Sequence, residues 1–150
     1  MAMVAVMLMG SASLMAQNPD KGLSWAVETG IGTEWEIGGR AQYNFNQYVA
    51  WDVLNAKYAL DYGDGGNFNE VTITTGVRGF SPTFGPGMKA FAALDLGYGA
   101  AFKDGWNTNN FALDFTAGVY VIKGLYLGYG LGFLNKGNHK DHLLRIGVNF

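Results

Sequence analysis

From His142 to Phe150 every second residue is apolar: Leu144, Ile146, Val148 and Phe150, with Leu143, Arg145, Gly147 and Asn149 between them. Successive side chains of an extended strand point to opposite faces, so a period of two specifies a strand with one uniformly apolar side. The pattern occurs in seven earlier runs: 23–33, 35–45, 48–60, 71–80, 88–102, 110–121 and 125–133. The third run changes phase. Trp51 and Val53 oppose Asp52, whereas Ala56, Tyr58 and Leu60 oppose Asn55 and Lys57. One extra residue near Leu54, a β-bulge, restores the alternation. Most runs have about 9–11 residues, the length of a tilted strand that crosses a bilayer.

The connections differ in kind. Polar stretches follow runs three, five and seven, and mostly shorter turns follow runs two, four and six. Eight antiparallel runs therefore place both chain ends with the short turns, the arrangement of a transmembrane barrel. The link near Glu34 is short for the longer-loop side.

Residues 1–16 do not alternate. Met1 to Met9 holds no polar residue and Gly10-Ser11-Ala12-Ser13 follows. A membrane-spanning helix needs about 20 apolar residues, so this run reads as a signal peptide, with cleavage expected between Ala16 and Gln17. The expected organisation is a signal peptide over 1–16 and one barrel domain over 17–150.

Composition decides which classes remain. There is no Cys, which removes disulfides, thiolate metal sites, cysteine nucleophiles and a lipidated cysteine anchor. A net charge of −2 argues against nucleic acid as a partner, since phosphate binding needs a basic face. Charged residues make up 15 %, against about 25 % in average globular chains.

A soluble eight-stranded ligand barrel would bury its apolar face and wet the other. Here the less apolar face is rich in Gly, Ala, Ser and Thr, which suit a narrow lumen, while the other carries Leu, Val, Ile, Phe, Tyr and Trp. The bulk is therefore expected to face lipid. Aromatic residues gather at the run ends as two girdles: Trp25, Tyr43, Phe45, Tyr48 and Trp51 at the short-turn rim, and Trp35, Tyr58, Tyr62, Phe102, Trp106, Phe111 and Phe133 at the other.

The small-residue face also carries Glu28, Glu36, Arg40, Asp52, Arg78, Asp95, Asp114 and Arg145. Charges in a closed barrel must pair, so these predict a lumenal plug of ion pairs, or else the lining of a narrow ion path. Counting residues from the short-turn rim puts Arg145, Glu28, Arg40 and Asp52 at similar heights. Glu28 is then expected to bridge Arg145 and Arg40.

Catalytic and metal chemistry find little purchase. His139 and His142 flank Lys140 and Asp141 in what reads as the last loop, without the further ligands a metal needs. Asp61 and Asp64 with Gly65-Gly66 lack the spacing of a calcium loop. Gly63 to Gly66 precedes no helix, so it is no phosphate loop. No cofactor is expected.

On this pattern, and on the terminal Leu144-x-Ile146-x-Val148-x-Phe150, the chain resembles the small OmpA/OmpX-type outer-membrane β-barrels and the barrel domains of porin-like families. The resemblance covers essentially all of 17–150. It implies an all-β, eight-stranded antiparallel up-and-down barrel in the bacterial outer membrane, with Leu144, Ile146, Val148 and Phe150 as the signal read by the barrel-assembly machinery. It also implies a monomer surrounded by outer-membrane lipids and lipopolysaccharide, which Lys103, Lys136 and Lys140 could contact. Some small barrels modify lipid A with His and Ser at the membrane rim, but no His-x-Ser occurs here. The expected role is non-enzymatic, structural or surface-interacting, with a narrow channel as the alternative and a lipid A-modifying enzyme as a lesser one.

Overall fold

The computed structural model describes residues 21–61, 68–103, 106–122, 124–134 and 139–150. The expected signal peptide, Tyr62, Asp64, Lys136 and Gly63 to Gly66 lie outside them. Eight strands follow in order: β1 (Gly22–Gly32), β2 (Glu34–Asn44), β3 (Val49–Asp61), β4 (Phe68–Phe80), β5 (Lys89–Lys103), β6 (Trp106–Ile122), β7 (Leu125–Leu134) and β8 (His139–Asn149). Each pairs antiparallel with the next, and β8 returns to β1, so the sheet closes into a barrel. The rim with the chain ends and the turns after β2, β4 and β6 is called here the terminal end. The opposite rim is the loop end.

Closure leaves no open sheet edge, and it extends to the last residue. Phe150 N–H donates to Trp25 O at 2.8 Å and Trp25 N–H to Phe150 O at 2.9 Å. Deleting Phe150 is therefore expected to remove two ladder bonds as well as an exposed ring. Surface levels in cells should fall further than the stability of refolded protein, and wild-type surface levels would refute a role for this residue in assembly.

The face assignment is decided by what is buried. Trp25, Val27, Ile73, Val77, Leu94, Leu96, Tyr98, Leu127 and Ile146 are exposed outward, while Glu28, Arg40, Asp52, Arg78, Asp95 and Arg145 are buried within. A soluble ligand barrel has the reverse distribution. Both aromatic girdles are present. Trp25, Phe45, Tyr48 and Trp51 are exposed at the terminal end, and Tyr58, Phe102 and Phe111 toward the loop end. Tyr43, Trp35 and Phe133 are half-buried.

The bulge lies at Val53. Ala41 pairs with Leu54 and Gln42 with Asp52, so Val53 is passed over and Asp52 and Asn55 both turn inward. The bulge interrupts the β3–β4 ladder between Asp52 and Asn55. Thr75 Oγ1 donates to Asp52 O at 2.8 Å, and Trp51 Nε1 donates to Thr75 Oγ1 at 2.9 Å. Thr75→Val keeps the shape and removes both bonds. It is expected to cost about 1–3 kcal/mol in a lipid bilayer, the penalty of an unsatisfied polar group, measured by denaturant unfolding of liposome-inserted protein. An unchanged midpoint would show that the bulge does not depend on this hydroxyl.

Every strand from β2 to β8 begins or ends beyond its apolar run at the loop end. β4 starts at Phe68 rather than Val71, β6 at Trp106 rather than Asn110, and β8 at His139 rather than His142, while β3 continues to Asp61. The ladder outlasts the alternation because, above the apolar layer, neither face needs to be hydrophobic. Two corrections follow. Glu34 is the first residue of β2 rather than a link, and His139, Lys140 and Asp141 belong to β8 rather than to a loop.

Candidate functional site

Inward positions of an eight-stranded barrel leave room for side chains and little else. At the terminal end the filling is aromatic. Phe80, Phe91, Tyr120 and Tyr126 are all buried, and Tyr120 has ring centroids 5.2 Å from Phe91, 5.2 Å from Tyr126 and 5.9 Å from Phe80. The Phe91–Tyr120 contact is edge-to-face and the other two are tilted, arrangements in which rings pack closely. Arg78 lies over the Phe91 ring at 4.7 Å and Arg40 over Tyr126 at 5.5 Å, so the cations rest on this aromatic floor.

Above the floor lies the charge network. All eight charges singled out in the sequence are buried in the lumen. Arg145 is its most connected member. Its Nε and Nη2 donate to Glu36 Oε1 and Oε2, both at 3.0 Å. Its Nη1 and Nη2 donate to Asp114 Oδ1 at 2.7 Å and Oδ2 at 2.6 Å, and Nη1 also donates to Thr116 Oγ1. One planar guanidinium thus holds two carboxylates in two bidentate forks. Arg40 donates to Glu28 at 3.0 Å and lies 3.5 Å from Asp52, which accepts two bonds from Arg78 at 3.1 and 3.0 Å. Tyr126 donates its hydroxyl proton to Glu28 Oε2. Asp95 accepts from Asn55 Nδ2 at 3.4 Å and forms no ion pair among the described residues.

Glycines make the space for the largest of these groups. A Cβ at Gly130 would stand 2.5 Å from Arg145 Cζ, and one at Gly147 would collide with the hydroxyl end of the Tyr126 ring.

The expected bridge from Glu28 to Arg145 does not form. Glu28 faces Gly147 across the β1–β8 seam, whereas Arg145 faces Gly30. The stagger between strands moves Arg145 two residues toward the loop end of the level that equal counting gives it. There it meets Glu36, whose backbone partner in β1 is also Gly30. Glu28 takes Lys57 as its second cation instead, at 3.4 Å.

Lys57 is the lumenal charge missing from the set read in the sequence. Its Nζ also lies 3.0 Å from Asp114 and 3.7 Å from Glu36, which ties the Glu28 group to the Arg145 group. The signal was present, because the bulge near Leu54 turns Lys57 inward along with Asn55. Glu34 and Asp141 are likewise buried near the loop end. With Glu70 they offer carboxylate oxygens within 4.8 Å of one another, three of the hard ligands a divalent cation takes, against the six to eight that calcium takes. Together with Lys57, Asp114 and Arg145 they line a cavity of about 20 Å³, the size of one water.

The remaining candidates are on the outside. Leu144, Ile146 and Phe150 are exposed on the outward side of β8 and Val148 is half-buried. Lys140 is exposed. Lys103 ends β5 with its side chain outside the described residues. His142 is bonded through Nδ1 to Tyr129 OH at 2.7 Å rather than to a serine.

No protein-family model matches this sequence, and no curated protein matches it. Solved structures do match its shape. The N-terminal β-barrel domain of Pseudomonas aeruginosa OprF superposes with a TM-score of 0.58 at 13 % identity, over 85 % of this chain and 96 % of that one. The Neisserial surface protein A, NspA, gives 0.54 at 18 % identity over 85 % and 92 %. A de novo designed transmembrane β-barrel gives 0.50 at 19 % identity over 91 % and 98 %. At such identities the likeness is one of fold: the chain shares the closed antiparallel β-barrel of these structures.

Proposed function

We propose that this chain is a non-enzymatic integral protein of the bacterial outer membrane, delivered by its N-terminal segment and inserted through its C-terminal strand. The terminal end faces the periplasm and the loop end faces outward. Its working parts are the external loops, in an envelope-structural or surface-interaction role. Lipopolysaccharide is its neighbour, and Lys103, Lys136 and Lys140 are the candidate contacts. It works as a monomer, with its outward apolar side chains covered by lipid rather than by a partner chain.

One observation carries this reading: an outward apolar face wrapped round a lumen filled by ion pairs over an aromatic floor. The same filling disfavours a channel, since a solute entering from the loop end meets Lys57, Asp114 and Arg145 and then four packed rings. Refolded protein in a planar bilayer is expected to insert without unitary conductance steps. Steady single-channel steps would replace this reading with a narrow pore. Failure to insert into lipid would overturn the membrane assignment itself.

A further inference from the structure

Near the loop end of β7 and β8, three polar side chains interrupt the outward apolar face. Lys140 and His142 alternate with the buried Asp141 and Leu143, so both lie on the outer surface, and Tyr129 is exposed beside them on β7. In the ladder His142 faces Leu131 and Lys140 faces Phe133.

The imidazole is held in place. Its backbone N–H donates to Thr33 Oγ1 at 3.1 Å, and Thr33 N–H donates to His142 O at 3.1 Å, which clamps this part of β8 to the end of β1. Tyr129 OH occupies Nδ1. With the phenol as donor, the ring proton stays on Nε2, which remains available to donate outward. Lys140 is two residues along the same face, about 7 Å away, so an ammonium and an imidazole N–H can reach one anion.

Depth and charge define the ligand. His142 and Lys140 are eight and ten residues from Phe150. On strands that rise about 3.3 Å per residue and tilt about 40°, this puts them roughly 20 and 25 Å above Phe150, the height of the apolar band. They therefore stand where acyl chains give way to headgroups. Every carboxylate among the described side chains of β1, β2, β7 and β8 (Glu28, Glu34, Glu36 and Asp141) is buried in the barrel, so none competes for them.

We propose that Lys140 and His142 bind a phosphate group of an outer-leaflet lipid, with Tyr129 as the positioning residue that aims the imidazole. This deepens the outer-membrane assignment above and rests on its orientation. The two nitrogens supply charge-assisted hydrogen bonds to phosphate oxygens, while the rings at this rim lie against the upper acyl chain.

The test uses refolded full-length barrel in zwitterionic detergent, titrated with diphosphorylated lipid A and with the same lipid stripped of phosphate, and bound lipid is counted by native mass spectrometry. The phosphorylated form is expected to be retained about tenfold more tightly or better, the effect of roughly one charge-assisted contact. Lys140→Gln with His142→Gln should abolish the preference. Tyr129→Phe should weaken it and shift the His142 Nδ1 resonance, and Lys21→Gln at the terminal end should leave it intact. Equal retention of the two lipids, or a preference that survives the double substitution, would overturn the site. Displacement by an equal concentration of inorganic phosphate would make it a site for free anion and also overturn the proposal. Liposome insertion is scored separately, so a barrel that inserts without phosphate preference loses this site but keeps its membrane assignment.

Discussion

Arg145→Met is expected to destabilise the barrel by about 3–5 kcal/mol, the cost of breaking a buried pair by removing one partner. The substitution keeps much of the side chain's length and removes both bidentate forks, which leaves Glu36 and Asp114 facing each other in the lumen. Lys57 reaches both carboxylates, at 3.7 and 3.0 Å, so it offsets part of the loss. Glu36→Gln or Asp114→Asn alone should cost less, because Arg145 keeps one fork in each. Double-mutant cycles of Arg145 with Glu36 and with Asp114 should give strong coupling. The cycle of Arg145 with Glu28 should give little, since no direct contact joins them. Adding Glu36→Leu and Asp114→Leu to Arg145→Met should restore part of the stability, because the two facing carboxylates are gone and Lys57 keeps Glu28 at 3.4 Å. Unfolding of Arg145→Met in liposomes at the wild-type denaturant midpoint would mean that water reaches the network and that the lumen is not sealed.

The difference between those two cycles marks what a sequence can and cannot show. Which face each charge takes follows from a period of two, so Glu28, Glu36, Arg40 and Arg145 could all be placed inside the barrel. Even the bulge at Val53 was legible, because the charged and apolar positions of the third run cannot alternate without it. Partner choice depends on stagger between strands, which no single run encodes. Two residues of offset at the β1–β8 seam were enough to give Arg145 to Glu36 and Lys57 to Glu28. The loop-end limits of the strands were hidden for a different reason. Glu34, Glu70 and Asp141 lie in strands whose surroundings no longer require an apolar face, so hydrogen bonding continues where the pattern stops. The His142 and Tyr129 pair was hidden by the stagger as well: both residues lie in runs legible in the sequence, but the ladder sets Tyr129 level with Leu144 and His142 level with Leu131. Phe91 and Tyr126, by contrast, occupy the small-residue face. Only closure of the barrel shows that four such rings converge on one floor.

Leu127→Arg tests the outer face and carries the second large effect. Leu127 is 48 % exposed and faces Ile146 across the β7–β8 ladder, four residues from the terminal Phe150. That count places it roughly 10 Å above the terminal rim of an apolar band about 25 Å tall. An arginine at that depth is expected to cost about 2–4 kcal/mol, declining to about 0–1 near the interface. Ile122→Arg supplies the comparison. Ile122 is 64 % exposed, but it is the last residue of β6 and lies at the rim, where a long cationic side chain reaches the headgroups. Urea unfolding of liposome-inserted protein, followed by tryptophan fluorescence, measures both variants. The depth dependence is the informative quantity. Simple surface damage would lower the two alike, whereas a bilayer penalises the deeper residue by a few kcal/mol more. Equal, small losses at both positions would mean that the apolar face is in water, and the lipid-facing assignment of the whole barrel would then fail.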